Sequence, residues 1–429
     1  MQYNPTNILR YAGDVNIEKI TITTSKGNFQ DITAQVINIQ FYEDLFSPFV
    51  SGSLVLKDAL DLVNVMPFIG EEFVDIDIST PTLEVGRITG RFHIYKMTDR
   101  VLVGDRAVAY QLHFMSVESL VDTNKKISKV YSGKISDIVT TFIKDKTEGL
   151  ESSKNIFVEP TRNSIKYISN FWSPVKNLQF LAENGLSENK SPSYIFFENR
   201  NGFYFLSLES LYKGEVTQEF VFDRYTRDEV PLGGNALNII EDYKRISQYT
   251  IPVAFDYMDR IRSGLMASKL FSYDSTKKTY TAKNYVAANR FESQVHLNKY
   301  PIFSDAASFR ANAHLINYNR AFETFSSFGD TTNARILQDR ISILRMAEAN
   351  KLQISVAGRT DYTVGQVVSV SLNKSQPIEM RETQNDYMDE MFSGKYIIAA
   401  INHFVTRDNH ECHMELIKDS SIKDFSGKS

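Results

Sequence analysis

The stretch that decides the fold is Ala107-Val108-Ala109-Tyr110-Gln111-Leu112-His113-Phe114-Met115, where Val108, Tyr110, Leu112 and Phe114 alternate with Ala109, Gln111 and His113. Successive side chains of a strand point to opposite faces, so this run is a strand with one apolar and one wettable face. Ile88 to Met97, just upstream, has the same character, and the two read as a long hairpin. Working outward, Ile20, Ile22 and Thr24 alternate before a turn at Ser25, Lys26, Gly27 and Asn28. Val36 to Phe41 resumes the pattern with Ile37, Ile39 and Phe41 expected on one face. Gly52 to Leu56 and Phe73 to Ile78 continue it, the latter with Phe73 opposed to Val74, Ile76 and Ile78. Asp58 to Met66 reads as a short helical or irregular crossover. Antiparallel strands with one apolar face predict a small barrel over residues 1–120, which part of 211–240 is available to complete.

Beyond residue 120 the period changes. Ile135, Ile138, Val139, Phe142 and Ile143 form one helical stripe, with Ser132 read as its cap and Gly149 as its end. A second helix opens at Ser173 and Pro174, where the missing proline N–H costs nothing, and stops near Gly185. Tyr194 to Phe197, a turn at Asn201 and Gly202, and Phe203 to Leu208 make a hairpin. Residues 121–210 are therefore expected to be an α/β module. Residues 211–349 carry mixed signals: a strand-like Glu219 to Phe222, a Gly233, Gly234 break, and a closing helix from Thr332 to Ala349. Strand patterns return over 350–420, at Leu352 to Val356, Val367 to Leu372, Tyr396 to Val405 and His410 to Ile417, with 421–429 as a tail.

This last segment echoes the first. Gly70, Glu71 and Glu72 lead into Phe73 to Ile78, and Gly365 and Gln366 lead into Val367 to Leu372. Gly90-Arg91-Phe92-His93-Ile94 with its hairpin partner resembles Gly394-Lys395-Tyr396-Ile397-Ile398 with Glu411 to Leu416. The fold class expected is mainly β with α+β insertions: two similar antiparallel β-barrels, a small α/β module, and a mixed helical and extended region.

Composition bounds the function. The 429 residues carry a formal net charge of −4, with 48 basic and 52 acidic residues interspersed, which gives no support to a nucleic-acid-binding tail. The single cysteine, Cys412, excludes an intrachain disulfide framework. No signal-peptide pattern opens the chain, and no stretch approaches the roughly 20 apolar residues of a membrane span. The 29 Phe and 22 Tyr fall mostly in β-patterned runs, which suits sheets with large interfaces.

If Thr406 to Asn409 form a turn, His403 faces Cys412 across a hairpin, His410 shares the face of Cys412, and His413 points away. Zinc takes about four ligands, or three plus water, and a line of at most three reads as ordinary cross-strand packing. His93 and His113 sit on strands without an acid or nucleophile at motif spacing. Glu71, Glu72, Asp75 and Asp77 read as solvating charges, and Asn124-Lys125-Lys126 and Lys277-Lys278 are too short to form a nucleic-acid groove. No phosphate loop, nucleophile elbow, zincin helix or calcium loop is present. The expectation is no catalytic, cofactor-binding or metal-ligating residues, no cofactor, and no enzyme activity.

Three stretches carry a family resemblance. Phe49-Val50-Ser51-Gly52-Ser53-Leu54-Val55-Leu56-Lys57-Asp58, followed by Pro67-Phe68-Ile69-Gly70-Glu71-Glu72, resembles the first barrel of baseplate hub proteins from contractile-tailed (myovirus) phages. Ser393 to Ile398 and His403, then His413-Met414-Glu415-Leu416 to Asp419, resemble the second barrel. Ser173-Pro174, Ala182-Glu183-Asn184-Gly185-Leu186, Phe196-Phe197 and Asn201-Gly202-Phe203 resemble the module between them, and Ser263 to Lys269 is a weaker match. The family is related to the hub part of the type VI secretion spike protein. No β-helix repeat follows the second β segment, which resembles the phage arrangement with the spike on a separate chain.

The resemblance implies a structural subunit of the virion tail baseplate, synthesised in the host cytoplasm. It implies a homotrimer whose six barrels form a pseudo-sixfold ring between tail tube and central spike, with DNA passing through without sequence readout. The partners implied are the central spike protein, the tail tube protein, the tape measure protein and the baseplate wedge proteins. A tail-tip receptor- or glycan-binding protein and a peptidoglycan-degrading tail enzyme are the alternatives.

Overall fold

The computed structural model describes residues 8–425 apart from 67, 84–85, 105–106, 223–238, 276–277, 306, 308–310, 319–332 and 375–387. Pro67, the Gly233, Gly234 break, Lys277 and the expected helix start at Thr332 lie outside the described residues.

The first strands are β1 (Asn16–Thr23), β2 (Phe29–Asp31), β3 (Val36–Asp44), β4 (Ser51–Asp58), β5 (Phe73–Ser79), β6 (Ile88–Val103) and β7 (Ala107–Ser116). Tyr110, Leu112 and Phe114 of the deciding stretch are buried with Leu54, Leu56, Val74, Ile76, Ile78, Ile39 and Phe41 in one core. Ile37 departs from its expected face and is 46% exposed. A register shift between Val36 and Asn38 makes Ile37 an unpaired bulge residue and turns it outward.

The module follows as β8 (Ile127–Lys134), β9 (Ile156–Val158), β10 (Ser164–Trp172), β11 (Tyr194–Asn199) and β12 (Gly202–Ser207), with helices Ile135–Lys144 and Pro174–Asn184. The expected stripe Ile135, Ile138, Val139, Phe142 and Ile143 is buried. Ser173 caps the second helix by accepting from the Lys176 N–H, with Pro174 in its first turn. Ser132 does not cap the first: it lies inside β8, opposite Lys166 of β10. Gly149 falls beyond the end of that helix, whose C-cap is Asp145.

Next come β13 (Val216–Phe222), β14 (Ile246–Thr250), β15 (Ala267–Asp274), β16 (Thr279–Val286), β17 (Tyr300–Pro301) and β18 (Ala313–Tyr318), then the helix Asn333–Glu348. β16, β15 and β18 form a separate three-stranded sheet. From that helix, Gln338 donates to the Ser268 carbonyl (3.1 Å) and Ser342 to the Leu265 carbonyl (2.6 Å). The last strands are β19 (Asn350–Ala357), β20 (Val367–Leu372), β21 (Gly394–Thr406), β22 (His410–Lys418) and β23 (Ser420–Ser421).

Two groups of six strands share one plan. The first pairs in the order β3-β4-β7-β6-β5-β1 and the second in the order β14-β19-β22-β21-β20-β13. Read along the chain, the strands correspond one for one. All neighbours in both groups are antiparallel except β13, which pairs with β20 in parallel. The described strand within 211–240 thus joins the second group, not the first. A bridge between Val221 and Arg245 brings β13 beside the start of β14 and closes the second group into a barrel. In the first group the corresponding position, just ahead of β3, is tied to β1: the Ile20 N–H donates to Thr33 Oγ1 (2.8 Å) and the Ile32 N–H to the Ile20 carbonyl (2.9 Å).

β21 joins the groups. Its first residues, Gly394 to Ile397, pair with β20; Ala400 to Thr406 then pair along the same edge with β3. The result is one mostly antiparallel sheet running through both halves, the mainly β fold with α+β insertions that the sequence leads one to expect. Val405 of β21 packs in the first core and Leu45, just past β3, in the second, so the cores interlock at this seam.

Candidate functional site

The isolated candidates named from sequence have structural surroundings. His93 Nε2 lies 2.9 Å from the Gly70 carbonyl oxygen, and His113 Nε2 lies 2.9 Å from Thr98 Oγ1. Glu72 is buried and accepts from the Ile69 and Gly70 N–H groups, both at 2.9 Å, so it holds the turn that feeds β5. Asp77 pairs with Arg87 at 2.8 Å and Asp75 with Arg91 at 3.9 Å, all four partly exposed. Lys125 donates to the Lys146 and Gly149 carbonyls (2.7 and 2.9 Å) and fastens a loop.

Buried charge gathers instead where the two barrels and the module meet. Glu43 of β3 accepts from the Arg200 N–H (2.8 Å), the Val364 N–H (3.1 Å) and Thr363 Oγ1 (2.5 Å). Arg200, in the β11–β12 turn, donates through Nη1 to the Tyr362 carbonyl (3.2 Å) and through Nη2 to the Asp361 carbonyl. Burial raises the Glu43 carboxyl above its ordinary range and lowers the Arg200 guanidinium, while each charge opposes the other's shift. Thr80 and Thr360 exchange N–H to Oγ1 bonds of 3.1 and 3.0 Å across the same seam. Taking one of these charges away would strand the other in a dry interior, so the junction resists separation.

A second cluster locks the module to the first barrel. Glu198 of β11 accepts from the Val50 N–H (3.0 Å), from Ser116 Oγ (2.5 Å) and from Lys154 Nζ (2.5 Å), and Lys154 also reaches Glu118 at 2.7 Å. Burial pushes the Glu198 carboxyl up to about 7 against the pull of Lys154. Burial also works against the Lys154 charge, but Glu198 and Glu118 outweigh it and hold the ammonium above the ordinary lysine range. Two acids and a lysine could serve acid–base chemistry in an open cleft. Here every hydrogen-bonding partner belongs to the fold, and Glu198 is 2% exposed.

The histidine and cysteine residues near the C-terminus take a tighter arrangement than a line. The turn forms as expected, with the Thr406 N–H donating to the Asn409 carbonyl at 2.8 Å. His403 pairs directly with Cys412, and His413 faces away, 46% exposed at its side chain. His403 Nδ1, His410 Nε2 and Cys412 Sγ form a triangle with sides of 3.0, 3.3 and 3.5 Å, all three residues fully buried. Burial, reinforced by His410 and Arg200, keeps the His403 imidazole well below its ordinary pKa. Burial and Arg200 lower His410 to about 3, and burial raises the Cys412 thiol.

Sequence reasoning passed over Arg200, Glu43, Glu198 and Lys154. For two of them a signal existed: Glu198 directly follows the apolar run Tyr194-Ile195-Phe196-Phe197 within its strand, and Glu43 follows Phe41-Tyr42 in a core strand. A charge embedded in a run that must be buried needs a partner. Lys154 and Arg200 lie in polar surroundings that announce nothing.

No family model matches the chain. Solved structures of two tail proteins share the fold. A tail protein from Neisseria meningitidis MC58 is 9% identical, with a TM-score of 0.52 over 94% of this chain and 96% of that one. The 43 kDa tail protein of prophage MuSo2 from Shewanella oneidensis is 10% identical, with a TM-score of 0.52 over 94% and 99%. At the level of sequence the chain is similar to one particular protein, the probable baseplate hub protein gp334 of Vibrio phage KVP40, with 22% identity over 405 residues and 90% of each chain covered. The resemblance to baseplate hub proteins read from short motifs is thus found again across nearly the whole chain. Among the described residues no helix is long and apolar enough to cross a membrane.

Proposed function

We propose that this chain is a structural, non-enzymatic subunit of a phage tail baseplate hub in the virion. Three copies form a pseudo-sixfold ring that joins the tail tube to the central spike and lets DNA pass. In this reading residues 1–120 form one barrel, residues 350–420 with β13 and β14 form the other, and 121–210 form the module beside them.

The observation that carries the reading is a pair of equivalent strands in different states. In β21 the edge beyond Ile398 is covered by β3. In β6, its counterpart, β5 accompanies the strand only as far as His93, and the Ile94 N–H donates to the Glu72 carbonyl; beyond that the same edge has no strand beside it among the described residues. β14, the counterpart of β3, pairs with β19; β13 meets its other edge only at the start, through the Val221–Arg245 bridge, and beyond that no strand pairs with it among the described residues. Repeating the internal β3–β21 seam between copies would therefore set β14 of one chain against Lys96 to Leu102 of the next. Three chains would then close a six-barrel ring and cover edges that are a liability in an isolated subunit. Val101 and Leu102, 56% and 73% exposed, sit at that edge.

The sheet face away from the cores also suits a passage. Gln40, Asn402, Gln353, Ser355 and Gln111 alternate with core residues there, and the lysines on this face, Lys57, Lys96 and Lys351, stand on non-adjacent strands and form no continuous stripe, as transit without tight binding requires. The test is mass by light scattering over a range of concentrations, with electron microscopy of the purified protein and of tails. Trimeric rings are expected. A monomer at every concentration, with no ring in assembled tails, overturns the proposal.

A further inference from the structure

We propose that His403 Nδ1, His410 Nε2 and Cys412 Sγ bind one soft transition-metal ion, with copper(I) favoured over zinc(II). The inference rests on the triangle at the seam and is independent of the hub reading.

Geometry comes first. The point equidistant from the three atoms lies about 1.9 Å from each, given their separations of 3.0, 3.3 and 3.5 Å. Metal bonds are about 2.0 Å to imidazole nitrogen and about 2.3 Å to thiolate sulfur, so an ion fits slightly out of the plane or with an opening of a few tenths of an ångström. The donors stand on a rigid frame: His403 and Cys412 are register partners on β21 and β22, and His410 follows the same face of β22. Gly358 leaves the space that the His410 ring occupies, since a Cβ there would come within 2.3 Å of it.

Chemistry narrows the ion. Two neutral imidazoles and one thiolate form a soft set that selects copper(I) or zinc over magnesium or calcium. Among the described residues the cluster offers three ligands and no fourth side chain, which suits three-coordinate copper(I) better than tetrahedral zinc. Charge points the same way. Binding displaces the Cys412 proton, which leaves as H⁺ while the S–metal bond forms; the copper(I) centre is then neutral and the zinc(II) centre carries +1. All three donors are fully buried, so the neutral centre is cheaper to bury.

The experiment uses the full chain without a histidine tag, loaded anaerobically with copper(I) or with zinc(II), desalted against a weak chelator and analysed for metal. One equivalent of copper(I) retained, with one proton released, is expected. Cys412→Ser and His403→Asn should each lose it, and His413→Asn, on the opposite face, should keep it. Retention of zinc alone would correct the choice of ion. The proposal is overturned if the wild-type chain retains neither ion, or if Cys412→Ser binds as the wild type does. Should the variants not fold, the wild-type stoichiometry of bound metal and released proton decides the matter.

Discussion

Tyr95 of β6 and Ala399 of β21 occupy the same place in two copies of one plan. Each is the extra residue of a bulge, skipped between Ile94 and Lys96 in the first hairpin and between Ile398 and Ala400 in the second. Each stands at the same distance in sequence past its strand glycine, Gly90 or Gly394. Even the preceding bond repeats, from the Ile94 N–H to the Glu72 carbonyl and from the Ile398 N–H to the Gln366 carbonyl. Bulges bend a strand and raise its local twist, so a shared bulge gives the two hairpins a shared curvature.

That equivalence makes the β6 edge testable. Leu102→Asp places a charge on an exposed side chain and should change the stability of the isolated subunit by no more than about 0.5 kcal/mol. If β14 of a neighbour covers this edge, the same change buries an unpaired carboxylate and should abolish ring formation. Urea unfolding together with light scattering separates the two effects. Normal rings from the variant would remove this strand from the interface.

Glu198 should give the chain a pH dependence of known sign. Its folded pKa is about 7 against an ordinary 4.5, so the folded state holds the proton more tightly than the unfolded chain does. The stability this contributes is complete below about pH 4.5 and lost as pH rises through about 7. Glu198→Gln cannot titrate, so the wild type should lose stability relative to the variant between about pH 5 and about pH 7 in denaturant titrations. Parallel curves would mean that Lys154 keeps Glu198 ionised throughout.

Gly52 is fixed by contact and not by backbone angle. A Cβ there would lie 2.3 Å from Phe114 Cζ and 2.5 Å from the Gln40 carbonyl oxygen, because the Phe114 ring lies across the strand. Gly52→Ala should cost about 1–3 kcal/mol by overpacking. Adding Phe114→Leu should recover part of that loss, a non-additivity that a double-mutant cycle measures.

Legibility followed locality. The Tyr110, Leu112, Phe114 row and the Ser173-Pro174 helix start could be read because their causes lie within a few residues: strand alternation in one, a hydroxyl cap and a fixed proline φ in the other. Ile37 was misplaced because a bulge is defined by the partner strand, which a local pattern does not contain. Residues 279–284 gave no period because β16 is exposed on both faces there, and a strand without a buried face has nothing to alternate. The Glu43–Arg200 junction joins residues far apart in the chain, and only the meeting of three parts of the fold makes them neighbours. The triangle of His403, His410 and Cys412 was half visible: pairing across the turn could be inferred, the convergence of the rings could not.

The β3–β21 seam sets an order of events during synthesis. β3 leaves the ribosome early, but its partner β21 lies more than three hundred residues downstream. The first six strands and the module can pack while the rest is still being made, yet they must do so with the β3 edge open. The second barrel is also late to close, because β13 pairs with β20, a strand emerging long after it. A nascent chain stalled before residue 394 would therefore present an unsatisfied strand edge to its neighbours on a crowded polysome, at the position where the finished molecule is sealed.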